Sequence, residues 1–180
     1  VLAAPDGKQV VEVDFTGAGG LGLESLSAEA AASGDYRLTL RASGSATLAG
    51  SYQVRVEVKA AATAQDQQRM SAERLLDEAI KSSQKGAGAV EVTVEKARQA
   101  LALWGELRDR YWEGVTFDLI GDAYYSADNK SEPAIVAYNQ ALAIFREIKD
   151  RAGEGNTLRA LGLALLFQNK QLKAIECFEQ

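Results

Sequence analysis

Self-similarity at a constant spacing is the feature that most constrains the fold of this chain of 180 residues. Residues 100–104 (ALALW) return as residues 141–145 (ALAIF), and residues 107–110 (LRDR) return with the same offset as residues 148–151 (IKDR). A fixed period of this length is typical of helical repeats, because one repeat cannot bury its apolar face until a neighbour stacks on it. The repeat therefore predicts a stack of helix pairs in this part of the chain.

Two glycines fall at equivalent positions inside the predicted helices. Gly121 and Gly162 are separated by one repeat, and each lies within a run of apolar residues at helical spacing. Glycine in a helix interior costs about 1 kcal/mol relative to alanine, so a packing reason for it is expected. We expect small residues here to let two helices approach closely, with aromatic rings filling the space beside them. The candidate rings are those of Tyr124, Tyr138, Phe145 and Phe178.

The hydropathy pattern changes near residue 60. In residues 10–15, 36–40 and 52–59, apolar and polar side chains alternate, which is typical of antiparallel strands with one solvated face. From residue 65 onward, apolar residues recur every three or four positions, which is typical of amphipathic helices. We therefore expect an α+β chain in two segments, with an antiparallel β module over residues 1–60 and an all-α solenoid over residues 65–180.

A set of aromatic, glycine and alanine residues recurs at fixed spacing in the helical part. Its best copy consists of Phe117, Ile120, Gly121 and Tyr124, followed by Ala134, Tyr138 and Ala141. This set resembles the signature of the tetratricopeptide repeat (TPR) family, in the long-repeat subtype found before caspase-like CHAT peptidase domains of bacterial proteins. The resemblance implies a degenerate helix pair over 65–108, the best match over 111–149 and an incomplete pair over 153–180.

The β part carries a second resemblance. Residues 32–40 (ASGDYRLTL) and 50–56 (GSYQVRV) are similar to the small β-sandwich modules found beside bacterial secreted peptidases, the pre-peptidase C-terminal modules. The resemblance implies a β-sandwich-like module, truncated at its start, in an exported bacterial protein. Because the chain begins at Val1 and stops at Gln180 inside a predicted helix, we expect it to be a fragment of a larger protein.

The TPR resemblance also implies a function. In that family, the first helix of each pair lines a groove that binds an extended peptide or a partner helix. Carried over by position, the groove is acidic at one end and has a basic residue and apolar groups at the other. We therefore expect a non-catalytic protein–protein interaction scaffold whose ligand has a basic residue near an apolar one. The implied groove residues are Val115, Asp118, Asp122, Tyr125, Asn156, Arg159, Leu163 and Leu166.

Composition argues against several other classes of function. The chain has no histidine, the commonest general base and metal ligand, and its one cysteine, Cys177, lies beside Glu176, which raises a thiol pKa. The net charge is −5 with no basic run, and no apolar stretch approaches the roughly 20 residues of a membrane span. We expect no catalytic residue, metal or cofactor, no nucleic-acid partner and no membrane span, while the oligomeric state stays open.

Two alternatives to the scaffold come from the same sequence. The six residues from Gly17 to Gly22 (GAGGLG) match the glycine pattern of a dinucleotide loop, so an NAD(P)-dependent enzyme is one alternative. It requires a helix over residues 23–32 after the loop, yet the flanking strands alternate instead of being apolar throughout. No acidic residue stands at 41–43, where the ribose-binding carboxylate is expected. A structural spacer without a ligand is the other alternative.

Overall fold

The computed structural model describes residues 1–11, 26–39, 55–127 and 131–180. Within these residues the chain is a mixed α+β protein, in which a small antiparallel sheet precedes a series of α-helices. The expected α+β class and the order of sheet and helices are therefore confirmed.

The sheet of the described residues has three short strands. They are β1 (Leu2–Ala3), β2 (Gln9–Val11) and β3 (Arg37–Leu38), and β1 lies in the middle, antiparallel to both neighbours. Strands this short present only a few side chains to a core, and both residues of β3 are exposed. The described residues thus form one small sheet, and the β-sandwich that the second resemblance implied is not what they show.

Turn residues join β1 to β2. Gly7 adopts a φ of 81°, a left-handed conformation that glycine reaches without steric cost. Its amide donates to the carbonyl oxygen of Ala4 at 2.9 Å, and the Asp6 carboxylate accepts from the amide of Lys8 at 3.0 Å. The Pro-Asp-Gly sequence therefore closes the hairpin by the hydrogen bonding typical of such turns.

The strand predictions were wrong over part of their length. Residues 55–59, the described part of the predicted strand over 52–59, form no strand, and Val56 and Val58 are exposed. An alternating segment becomes a strand only where a neighbour accepts its backbone hydrogen bonds, and no described strand pairs with it. Of the predicted strands over 10–15 and 36–40, residues 12–15 and 40 lie outside the described residues.

Six α-helices follow the sheet in the described residues, with a short 3₁₀ turn (Ala87–Ala89) before the second. Successive helices pack against each other, and α3 also contacts α1 and α5. Pairing of each helix with the next is consistent with a helical repeat. The bounds are α1 (Ala64–Ser83), α2 (Val90–Leu107), α3 (Arg110–Tyr125), α4 (Ser131–Glu147), α5 (Arg151–Phe167) and α6 (Gln171–Phe178).

Equivalent aspartates start α3 and α5. Asp109 and Asp150, which occupy the same position in successive repeats, are the N-caps of these helices. The Asp109 carboxylate accepts from the amide of Trp112, and the Asp150 carboxylate accepts from the amides of Ala152 and Gly153 at 3.1 and 3.2 Å. Each cap satisfies amides that have no partner inside the helix. The repeated Asp-Arg pair therefore sets where the first helix of a new pair begins.

The ends of α2, α4 and α5 share one backbone geometry. Arg108, Lys149 and Asn169 have φ values of 55°, 59° and 56°, the left-handed region. At each end, the amide of the following residue donates to the carbonyl oxygen five residues back, at 3.0, 2.9 and 3.0 Å. This is the Schellman arrangement, in which glycine is the preferred left-handed residue. Two of the three ends use a long basic side chain in its place.

Replacing Lys149 by glycine should stabilise the protein. The left-handed conformation costs an L-residue about 1 kcal/mol or more, and glycine avoids this cost. Part of the gain is lost again, because glycine has more conformational entropy in the unfolded state. We expect Lys149→Gly to raise the free energy of unfolding by about 0.5–1 kcal/mol, measured by urea denaturation followed by circular dichroism. The matched control is Gln84→Gly, because Gln84 ends α1 with a helical φ of −65°. That variant should be destabilised, and a gain in both proteins would contradict the explanation.

The glycines inside α3 and α5 lie against aromatic rings. A Cβ built on Gly121 would lie closer than 3.0 Å to three ring atoms of Tyr138, and one on Gly162 equally close to two ring atoms of Phe178. Tyr138 and Phe178 are themselves counterparts in the repeat, so the same contact occurs in two helix pairs. The structure confirms that rings occupy the space beside the two glycines.

The contacts between one helix pair and the next, which we call joints, also occur at equivalent positions of the repeat. Trp104 of α2 stacks on Trp112 of α3 with ring centroids 5.7 Å apart. At the equivalent positions of the next repeat, Phe145 of α4 lies on Gly153 of α5, where a Cβ would be closer than 3.0 Å to three ring atoms. Trp104 is fully buried, as expected for a residue on the apolar stripe. One joint therefore holds two indoles, and the next holds a single phenyl ring against backbone.

Candidate functional site

The predicted groove residues lie on two helices that contact each other, α3 and α5. We call the set the α3–α5 surface. It has a polar part, which contains two carboxylates and a guanidinium, and an apolar part. Its members are Val115, Asp118, Asp122 and Tyr125 on α3, and Asn156, Arg159, Leu163 and Leu166 on α5.

A threonine of α5 joins the polar part of this surface to α3. Thr157 Oγ1 lies 2.9 Å from both carboxylate oxygens of Asp118 and 2.8 Å from the carbonyl oxygen of Gly153. A hydroxyl carries one hydrogen and cannot donate to all three oxygens. If Asp118 is protonated, it donates to Thr157, which in turn donates to Gly153. The geometry therefore satisfies a neutral Asp118 better than an ionised one.

Electrostatics favour the same protonation state. Burial raises the pKa of Asp118 to about 8, although the hydrogen bond with Thr157 lowers it. The nearby charge of Asp122 raises this pKa further, and the positive charge of Arg159 lowers it. Because burial outweighs the stabilising contacts, Asp118 binds a proton at neutral pH.

Asp122 is the more accessible of the two carboxylates. It accepts a hydrogen bond from the Tyr138 hydroxyl at 2.7 Å. Desolvation raises its pKa, against the lowering effects of that hydrogen bond and of Arg159. The residue nevertheless has an exposed edge, where water screens its charge. Asp122 is therefore the carboxylate that a ligand meets at this surface, while Asp118 is the group whose protonation depends on pH near neutrality.

The apolar part of the surface is exposed. Tyr125, Leu163 and Leu166 are 38–42% exposed, and they extend from the end of α3 across the second half of α5. The Tyr125 ring also contacts Phe167 edge to face, with centroids 6.4 Å apart. Large aliphatic and aromatic side chains left open beside charged groups are typical of interaction sites. Val115 and Asn156 are half-buried at the other end.

Three residues of the site were missed by the reasoning from sequence: Thr157, Tyr138 and Phe167. Thr157 and Tyr138 contact the carboxylates from other helices, which a spacing rule within one helix cannot reveal. Phe167 directly follows Leu166, and its apolar side chain at the end of the α5 stripe was a usable signal.

Comparison with known proteins gives no match: no family model fits the sequence, and no curated protein or solved structure matches it. The TPR resemblance therefore rests on the residues that carry it. The repeated contacts of the helix pairs are independent support for a helical repeat, but they do not name a family.

The described residues give little support to the other candidate sites. The run from Gly17 to Gly22 lies outside them, and residues 26–32, the described part of the helix that a dinucleotide site requires, are not helical. Cys177 is half-buried, and burial followed by the charge of Glu176 raises the pKa of its thiol. Within the described ranges no group of three metal-ligating side chains occurs, and no helix there is long and apolar enough to cross a membrane.

Proposed function

We propose that the helices form a TPR-type solenoid and that the chain is a protein–protein interaction scaffold. Its ligand is an extended peptide or a partner helix that binds on the α3–α5 surface. The observation that carries this proposal is the arrangement of two carboxylates, Asp118 and Asp122, beside exposed Tyr125, Leu163 and Leu166. Such a surface offers an apolar partner contact and a charged one within the same pair of helices.

The chemistry of the surface selects the ligand. An arginine or lysine of the ligand pairs with Asp122, while an adjacent apolar side chain covers Leu163 and Leu166. The positive charge of the ligand also favours ionisation of Asp118, whose pKa burial raises to about 8. Binding of a basic residue is therefore coupled to release of a proton near neutral pH.

The energetic cost of the polar cluster, which consists of Asp118, Asp122, Thr157 and Tyr138, supports a functional role. A buried carboxylate with a raised pKa destabilises the folded protein above its unfolded-state pKa. An apolar or amide side chain at Asp118 would avoid this cost. Residues that oppose stability are concentrated at binding and catalytic sites. The cluster does not suggest catalysis, because Asp118 and Asp122 are held by Thr157 and Tyr138, and the chain has no histidine to activate a nucleophile beside them.

A peptide-selection experiment tests the proposal. Random short peptides displayed on phage are selected against the native protein, and the best binders are measured by calorimetry. We expect peptides with Arg or Lys next to large apolar residues. Asp122→Asn together with Leu163→Lys should weaken their binding at least tenfold, because both the charged and the apolar contact are lost. The matched control is Glu95→Gln with Val92→Lys, on an exposed stretch of α2.

Other outcomes separate the alternatives. Selected peptides that bind the double variant and the native protein equally would contradict the α3–α5 surface as the site. Failure to select any peptide would favour the structural spacer. Saturable binding of NADH or NADPH, followed by cofactor fluorescence and abolished by Gly17→Val, would favour the dinucleotide enzyme.

A further inference from the structure

The repeat places an aspartate and a threonine at matching positions on the first helices of successive pairs. Asp118 of α3 and Thr157 of α5 correspond to Asp77 of α1 and Thr116 of α3. In both copies the threonine hydroxyl lies near the carbonyl oxygen four residues back, at 2.6 Å for Thr116 and 2.8 Å for Thr157. The two copies differ in what neutralises the aspartate.

In the first copy a lysine neutralises the aspartate. The Lys81 ammonium lies 2.6 Å from the Asp77 carboxylate, one helical turn along α1. In α3 the position of that lysine is held by Asp122, whose charge raises the pKa of Asp118. Both carboxylate oxygens of Asp118 instead face Thr157, each 2.9 Å from its Oγ1. A proton on Asp118 therefore takes the part that Lys81 plays for Asp77.

Loss of that proton leaves the carboxylate of Asp118 short of hydrogen-bond donors. In the neutral state Asp118 donates to Thr157, and Thr157 donates to the carbonyl oxygen of Gly153. Once the proton has left for water, the single hydroxyl hydrogen of Thr157 can turn to only one carboxylate oxygen. A charged oxygen without donors is costly away from bulk water. Because both oxygens face α5, water solvates them by entering between α3 and α5.

The other described groups that face Asp118 do not replace the proton. Asp122 on the same helix is a second acid, and the Tyr138 hydroxyl on α4 already donates to Asp122 at 2.7 Å. Arg159 on α5 lowers the pKa of both carboxylates by its positive charge, but at Asp118 the effect of burial is larger. Ionisation of Asp118 is therefore relieved by water between the two helices.

We propose that Asp118 and Thr157 form a pH-sensitive switch between the second and the third helix pair. With the proton in place, the two residues hold α3 against α5, and without it α5 tilts away from α3. Leu161 and Ala164 of α5 share a buried cluster with residues of α4 and α6, so α5 tilts about that contact and stays attached. A peptide site on the α3–α5 surface would change shape with pH; that consequence rests on the proposed function, whereas the tilt does not.

Energy transfer from the tryptophans to a dye on α6 tests the switch in the full chain. Trp104 and Trp112 stack at the joint between α2 and α3, and Lys173→Cys with Cys177→Ser places one dansyl dye at an exposed position of α6. We expect a reversible loss of transfer as pH rises from 7 to 9, with a midpoint near the Asp118 pKa of about 8. The helical circular dichroism spectrum should not change, and unlabelled protein corrects for effects of pH on the emission.

Three variants assign the change to Asp118. Asp118→Asn should give constant transfer over this range, because asparagine can donate to Thr157 at every pH. Asp77→Asn, the matched control in α1, should keep the native response, and Arg159→Gln should move the midpoint to higher pH because a charge that lowers the pKa is lost. Constant transfer in the native protein, or the same pH-dependent loss in Asp118→Asn, would overturn the proposal. No peptide is present, so the result is independent of whether the α3–α5 surface binds one.

Discussion

Gly121→Ala should lower the free energy of unfolding by about 2–3 kcal/mol, whereas Gly155→Ala should raise it by about 0.5–1 kcal/mol. The same chemical change has opposite effects because of what the new methyl group meets. At Gly121 it would overlap the ring of Tyr138, which is itself 1% exposed and held by Asp122. At Gly155 nothing lies within 4 Å, so only the gain in helix propensity remains.

Gly162→Ala is the intermediate case and the internal control. Its methyl group would overlap Phe178, but that ring is about half exposed and can move toward solvent. We expect a loss smaller than that of Gly121→Ala. Urea denaturation followed by circular dichroism measures all three variants under the same conditions. If Gly121→Ala were as stable as the native protein, α3 and α4 would not pack as closely as the structure indicates.

Asp118→Asn should raise the free energy of unfolding at pH 8 by about 2 kcal/mol. Burial raises the pKa of Asp118 from 3.8 to about 8, so the protein takes up a proton when it folds at a pH between these two values. The contribution of Asp118 to the stability of the native protein is therefore fully present below pH 4 and is lost as the pH rises from about 4 to about 8. Asparagine is neutral throughout, and its amide can donate to Thr157 as a protonated Asp118 does.

The measurement is the pH dependence of unfolding in urea. The difference between Asp118→Asn and the native protein should be small at pH 4 and should increase up to pH 8. Asp77, at the equivalent position one repeat before Asp118, is the matched control, because its carboxylate pairs with the Lys81 ammonium at 2.6 Å. Asp77→Asn should cost at most about 0.5 kcal/mol. A difference that shrinks as pH rises would contradict the assignment of a neutral Asp118.

Much of the helical part could be predicted from the sequence, because its signals are local and repeated. Helix α2 (Val90–Leu107) lies inside the predicted pair over 65–108, where apolar residues recur every three or four positions. The prediction that rings fill the space beside Gly121 and Gly162 followed from the repeat, because equivalent residues in stacked pairs make equivalent contacts. The helices that carry the predicted groove residues were therefore correctly placed.

The sheet and the buried contacts of the site were harder to predict from the sequence. Alternation shows which side of a strand is apolar, but it does not identify the partner strand, so residues 55–59 were assigned wrongly. The central strand Leu2–Ala3 is too short to show a period. The contact of Asp118 with Thr157 joins residues far apart in the sequence and depends on how α3 and α5 pack. Its effect on the pKa follows only from that packing.

The tryptophan fluorescence of this protein reports on one place in the fold, the contact between α2 and α3. Trp104 and Trp112 are the only tryptophans in the chain, and both lie where the first helix pair meets the second. Their emission therefore reports on this joint and is insensitive to separation of α5 and α6. In a stack whose units are stabilised by their neighbours, the two ends can open at different denaturant concentrations. The offset between the fluorescence and circular dichroism midpoints then measures how strongly the repeats are coupled.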